Sequence, residues 1–158
     1  MTHQEITNLL DKLMTLWNTR DYPLACEIYA DDYQGLDVTD QTRIRGPEGS
    51  ARQLQRFVAA FPDLNFQVEQ TLIQDHQVAV YWCARGTHQG TLLNIPATGR
   101  IVEINGVTML RVADGKIKTG VHLWDMAALL RTIGLLPELE RKPPLDTLSL
   151  KDALTICG

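Results

Sequence analysis

The sequence predicts an α+β fold, with a cone-shaped, curved antiparallel sheet wrapped around N-terminal helices and enclosing a pocket. Three observations predict it. Apolar residues recur every three or four positions up to Phe61, then every second position from Phe66 to Trp124. The alternating segments are long compared with ordinary strands, which centre on about 5–6 residues. Long twisted strands curl around a helical layer and leave one end open.

Each element follows from local pattern. Thr2 and Glu5 form a capping box ahead of Ile6, Leu9, Leu10, Leu13, Met14 and Trp17, the stripe of an amphipathic helix. Asp21 is placed to cap a second helix whose first turn tolerates Pro23. It carries Leu24, Ile28 and Tyr29 and frays at Asp31 and Asp32. Tyr33 to Val38 reads as a short extended piece before a polar loop. Gly46-Pro47 opens a third helix, with Ala51, Leu54, Phe57, Val58 and Phe61 on one face and Pro62 at its end. Phe66, Val68 and Leu72 then share a face. So do Val78, Val80, Trp82, Ala84, Gly86 and His88, and after them Val102, Ile104, Thr108, Leu110 and Val112. Asp75-His76 looks like a turn, and Asp114-Gly115 is a two-residue hairpin signal. The last strand runs from Ile117 to Trp124, and Asp125 begins a helix from Met126 to Ile133 that Gly134 stops.

Residues 1–137 form one domain and residues 138–158 a separate tail. In the tail, Pro143-Pro144 breaks the chain before a short helix capped by Ser149 and carrying Leu150, Ala153, Leu154 and Ile156. Its apolar side needs the parent domain or a second subunit as a partner.

Composition removes several function classes. A net charge of −4 with no Lys and Arg cluster argues against nucleic acid. The polar N-terminus, and the lack of any apolar run near the ~20 residues of a spanning helix, argue for a cytoplasmic protein without a membrane partner. Cys26, Cys83 and Cys157 are odd in number and far apart, which fits free thiols. Neither they nor the four histidines show ligand spacing, so no metal and no cofactor are expected.

Candidate site residues come from parity. Asp125 follows Ile117, Thr119, Val121 and Leu123 on the apolar parity of its strand, which points it into the cone. There, desolvation raises a carboxyl toward proton transfer at neutral pH. Asp125 is equally placed to cap the helix after it, and capping would hold it ionised. His88 shares the core parity of Trp82 and Ala84 near a strand end, within reach of a ligand carbonyl or of Asp125. His122 has the opposite parity and reads as structural, unless a bulge at Gly120 shifts the register. Trp17, Trp82 and Trp124, with Tyr33 and Phe61, are candidates to line a site for a flat apolar ligand, although core packing also explains them. Tyr81, Cys83, Val107 and Met109 on the other sheet face suggest a homodimer contact.

These residues resemble a known family. Gly86-Thr87-His88-Gln89-Gly90 with Ile95-Pro96-Ala97-Thr98-Gly99-Arg100 is similar to the GTHxG…IPxTGR segment of SnoaL-like proteins. Asp114-Gly115-Lys116-Ile117 with Trp124-Asp125 resembles their DGKI…WD segment, and Ala60-Phe61-Pro62-Asp63-Leu64 their AFPDL helix end. The resemblance implies the nuclear-transport-factor-type cone, commonly dimeric. It also implies cofactor-free ring closure of polyketides by intramolecular aldol condensation, with Asp125 as acid/base. The chain departs from the cyclases in having Leu123 between His122 and Trp124. Three readings stay open: an aldol cyclase or isomerase, a non-catalytic dimer that binds a small apolar molecule, and a structural dimer.

Overall fold

A computed structural model describes residues 1–139. Helix α1 spans His3–Thr19, and its capping box is complete: the Glu5 amide donates to Thr2 Oγ1 at 3.2 Å, and the Thr2 amide to the Glu5 carboxylate at 2.6 Å. One face of α1 buries Ile6, Leu9, Leu10, Leu13, Leu16 and Trp17. A short α2, Leu24–Ile28, passes directly into strand β1, Tyr29–Asp37. Tyr29 to Asp32 are therefore strand rather than a fraying helix end. The expected polar loop contains a further strand, β2, Thr42–Arg45, paired with β1. Then come α3 (Gly46–Ala60), β3 (Asn65–Gln74), β4 (Gln77–Thr87), β5 (Ile101–Ala113), β6 (Lys116–Trp124) and α4 (Met126–Thr132).

The six strands form one sheet in the order β2-β1-β6-β5-β4-β3. From β3 to β6 it is the expected antiparallel meander. Strand β1 pairs β6 in parallel, so the sheet is mixed. Asp114 and Gly115 both take positive φ, 53° and 75°, which is the conformation a two-residue hairpin needs. The core lies between the helices and the inner sheet face, where Ile28, Val112 and Ile117 are fully buried. Of the tail assigned to residues 138–158, all but the first two residues lie outside the described ones. Cys157 lies there too, while Cys26 and Cys83 are free. Among the described residues no helix is long and apolar enough to cross a membrane.

Two β-bulges change which side chains face inward. In β3, Val68 pairs with Trp82 but Gln70 pairs with Tyr81, which leaves Glu69 as an extra residue. Beyond it Thr71 and Ile73 take the inner parity, opposite Val80 and Val78, and Leu72 turns outward, 63 % exposed. In β6, Ile117 pairs with Val112 but Thr119 pairs with Arg111, so Lys118 is extra. After Lys118 the inner residues are Gly120, His122 and Trp124, opposite Leu110, Thr108 and Gly106. Val121 and Leu123 face outward with Met109 and Val107. This corrects the expected parity of the last strand, because an inserted residue reverses every side chain after it.

Candidate active site

The inner face closes around a cavity of about 90 Å³. A single water needs roughly 10–15 Å³ on this measure, so the space is several waters in size. Trp17, Tyr29, Phe57, Phe61, Phe66, Trp82 and Trp124 are the aromatic side chains of its wall. Phe66 stands between two indoles, 4.8 Å from Trp17 at 50° and 5.3 Å from Trp82 at 72°. Gly106 makes room for this wall, since a Cβ there would sit 2.3 Å from the Trp82 ring. The polar lining is small: Asp37, Ser50, Gln53 and His122 join the aromatic and aliphatic groups, and no Lys or Arg among the described residues does.

Asp37 is the carboxylate of the cavity. It is only 2 % exposed and ends β1 beside His122, its partner in the parallel register. Four contacts hold it. The Trp124 indole N–H reaches both oxygens, at 3.1 and 3.0 Å. The Thr39 amide donates to Oδ1 at 3.0 Å and Gln53 Nε2 to Oδ2 at 3.2 Å. Burial pushes the Asp37 carboxyl above its ordinary range. The Trp124 hydrogen bond pulls it down, the neighbouring Asp40 charge pushes it up, and the Thr39 amide pulls it down. Asp40 itself ends lower than usual. Burial opposes its charge, but hydrogen bonds from Thr42 and the ion pair with Arg56 outweigh it.

His122 lines the same cavity and sits in a chain of side chains. Its Nδ1 is 3.1 Å from Thr108 Oγ1, which also accepts the Trp82 indole N–H at 3.0 Å. Its Nε2 is 3.3 Å from the Tyr33 hydroxyl. Tyr33 fits because Gly35 and Gly120 oppose each other on adjacent strands. A Cβ on either would meet the phenol oxygen at 2.5 or 2.4 Å. Burial pushes the His122 imidazole down to about 4, so the ring is neutral at physiological pH.

The structure places the expected residues unevenly. Trp17, Phe61, Trp82 and Trp124 line the cavity. Tyr33 does not, and reaches it only through His122. His88 is fully buried behind Phe61, with ring centroids 5.2 Å apart. Its Nδ1 meets Thr98 Oγ1 at 3.1 Å, while Nε2 has no partner among the described residues. It is not among the cavity-lining residues and does not approach Asp125. Asp125 is exposed on the outward parity and accepts the Ala128 amide at 2.8 Å as the α4 N-cap. It is the helix-capping reading of Asp125 that the geometry matches. Asp125→Ala therefore costs about 1 kcal/mol of stability, seen in urea unfolding, and leaves ligand binding in the cavity unchanged.

Sequence reasoning missed Asp37, Gln53 and Thr108 and set His122 aside. The Tyr33, Gly35, Asp37 alternation was the available signal for Asp37. Among the described residues no three of His, Cys, Asp and Glu gather as a metal site.

Residues 7–133 match the family model described as SnoaL-like polyketide cyclase. No curated protein matches the chain. Several solved structures share the fold. TsrD from Streptomyces laurentii superposes with a TM-score of 0.77 at 19% identity, over 86% of this chain and 99% of that one. AclR from Streptomyces galilaeus, proposed to be a hydroxylase, gives 0.76 at 22% identity over 99% of this chain and 94% of that one. IdmH from Streptomyces antibioticus, proposed to be a polyketide cyclase, gives 0.73 at 29% identity over 84% of this chain and 99% of that one.

Proposed function

Because the chain belongs to the SnoaL-like polyketide cyclase family, we propose that it takes up a small apolar carbonyl compound and moves a proton beside the carbonyl, with Asp37 as the acid/base. One observation carries this reading: a buried carboxylate, held in a fixed orientation, in the wall of a largely apolar cavity. The role falls to Asp37 rather than Asp125 because Asp125 faces solvent and is committed to its helix.

In this scheme the Asp37 carboxylate takes a proton from the carbon next to a carbonyl, leaving an enolate and a neutral Asp37. The enolate carbon then attacks a second carbonyl carbon of the same molecule. Asp37 returns its proton to the new alkoxide, so the carboxylate is restored and no cofactor is consumed. Return of the proton to a different carbon gives isomerisation instead. The aromatic wall favours flat substrates, and the lack of a lining cation among the described residues favours uncharged ones.

A second reading, a binding protein without turnover, is supported by the number of donors already on Asp37. A planar ketone with acidic α-hydrogens, 2-tetralone, separates the two. In D₂O the protein should quench its indole fluorescence on binding the ketone and speed deuterium entry at the α-carbon. Binding without faster exchange favours the second reading. Neither binding nor exchange counts against both.

We also propose a homodimer through the outer sheet face. Tyr81, Val107 and Leu123 form one cross-strand row there, and Ala79, Met109 and Val121 the next; Met109 is 52 % exposed. Paired symmetrically, two such faces bury each other. Light scattering at micromolar concentration should give twice the chain mass, and a monomer mass rejects the contact.

A further inference from the structure

The Trp124-Asp125 pair resembles a family segment, yet the aspartate of the pair faces away from the cavity. The tryptophan faces into it. Its indole N–H lies 3.1 and 3.0 Å from the two oxygens of Asp37. The main chain of Trp124 is fastened to the same corner. Its amide donates to Thr39 Oγ1 at 3.1 Å, and the Thr39 hydroxyl donates to its carbonyl at 3.2 Å. The Thr39 amide in turn donates to Asp37 Oδ1. The three residues thus close a ring of contacts between the end of β1 and the end of β6. The Phe57 edge meets the Trp124 ring at 5.9 Å and 89°, which fixes the indole from the helix side.

We propose that Trp124 is the positioning residue of the site: its indole N–H, latched through Thr39, orients the Asp37 carboxylate toward the cavity and favours its charged form. An N–H shared between both oxygens stabilises the charged carboxylate and restricts its rotation. An indole nitrogen can only donate, so it bonds the charged carboxylate more strongly than the protonated form. Three other groups bear on the titration. Asp40 adds a negative charge from the loop after β1, Arg56 of α3 neutralises much of it, and His122 on β6 stays neutral through burial. The catalytic consequence rests on the proposed role of Asp37, but the placement and the titration do not.

The test reads Asp37 directly in the full-length, ligand-free chain. The chemical shift of its carboxyl carbon is followed by NMR against pH and assigned by its loss in Asp37→Asn. Trp124→Phe keeps an aromatic ring against Phe57 and removes the donor. Its Asp37 midpoint should rise by about one pH unit or more relative to the wild type. Thr39→Val keeps the indole and loosens the latch, and should move the midpoint the same way by less. Thr39→Ser should restore it. An unmoved midpoint in folded Trp124→Phe overturns the proposal. If that variant does not fold, an unmoved midpoint in Thr39→Val does so instead. Failure of 2-tetralone exchange in the wild type would count against catalysis and leave this titration result standing.

Discussion

Asp37→Asn should lower the rate of deuterium entry into 2-tetralone by about 10²- to 10⁴-fold, the usual contribution of a positioned general base. The substitution is nearly isosteric. Its amide oxygen can still accept from the Trp124 indole and the Thr39 amide, so the end of β1 stays in place. What disappears is the only carboxylate that the described residues place in the cavity wall. Binding of the ketone, read by indole fluorescence, should change little, because the wall that grips it is aromatic. A loss of exchange with binding preserved separates proton transfer from affinity. An Asp37→Asn protein that exchanges at the wild-type rate would remove Asp37 from the mechanism.

The second large effect is acid lability through His122. The ordinary imidazole value is 6.5, and burial depresses that of His122 to about 4 in the folded chain. A depressed group contributes stability that is intact above the unfolded value and lost as pH falls toward the folded one. The window is therefore from about 6.5 down to about 4, and the loss across it is about 3 kcal/mol. Asp37, whose carboxyl burial pushes up, contributes with the opposite sign. Comparison with His122→Gln isolates the histidine. Between about pH 7 and pH 4 the wild type should lose about 3 kcal/mol more unfolding free energy in urea than the variant does. Equal losses would mean that His122 is as easily protonated in the folded state as in the unfolded one.

Elements set by neighbours in sequence were legible. The capping box of α1, the Asp114-Gly115 turn and the stop of α4 at Gly134 each depend on a few adjacent residues. So was the change of period that marks the sheet. The site was less legible, for two physical reasons. The extra residue at Lys118 reverses the parity of β6, and nothing in its alternation of side chains reveals an unpaired residue. A strand read without it puts Asp125 inside and His122 outside. The other reason is the parallel pairing of β1 with β6, which brings Asp37 and Trp124 together from distant parts of the chain. Local pattern carries no trace of such a contact.

The residues that carry the family resemblance also do different work from what their chemistry suggests. The Gly86–Gly90 and Ile95–Arg100 segments tie the end of β4 to α3 and α4. The Gln89 and Gly90 amides donate to the Ala60 carbonyl, at 2.9 and 3.0 Å, and Arg100 Nη1 donates to the Thr132 carbonyl at 2.7 Å. A Cβ on Gly90 would lie 2.1 Å from the Ala59 carbonyl oxygen, so this close approach requires glycine. His88 belongs to that fastening. Part of a motif can mark a fold by the loop it builds, as His88 and Ile95–Arg100 do, while Gly86, Phe61 and Trp124 of the same segments line the cavity.

The measurement that bears most directly on the cavity as a carbonyl site is a crystal structure of the full chain with 2-tetralone. The account predicts the ring against Trp17 and Trp82, with the α-carbon within reach of an Asp37 oxygen. A ketone bound at the Asp125 surface, with the cavity walls collapsed on one another, would contradict it.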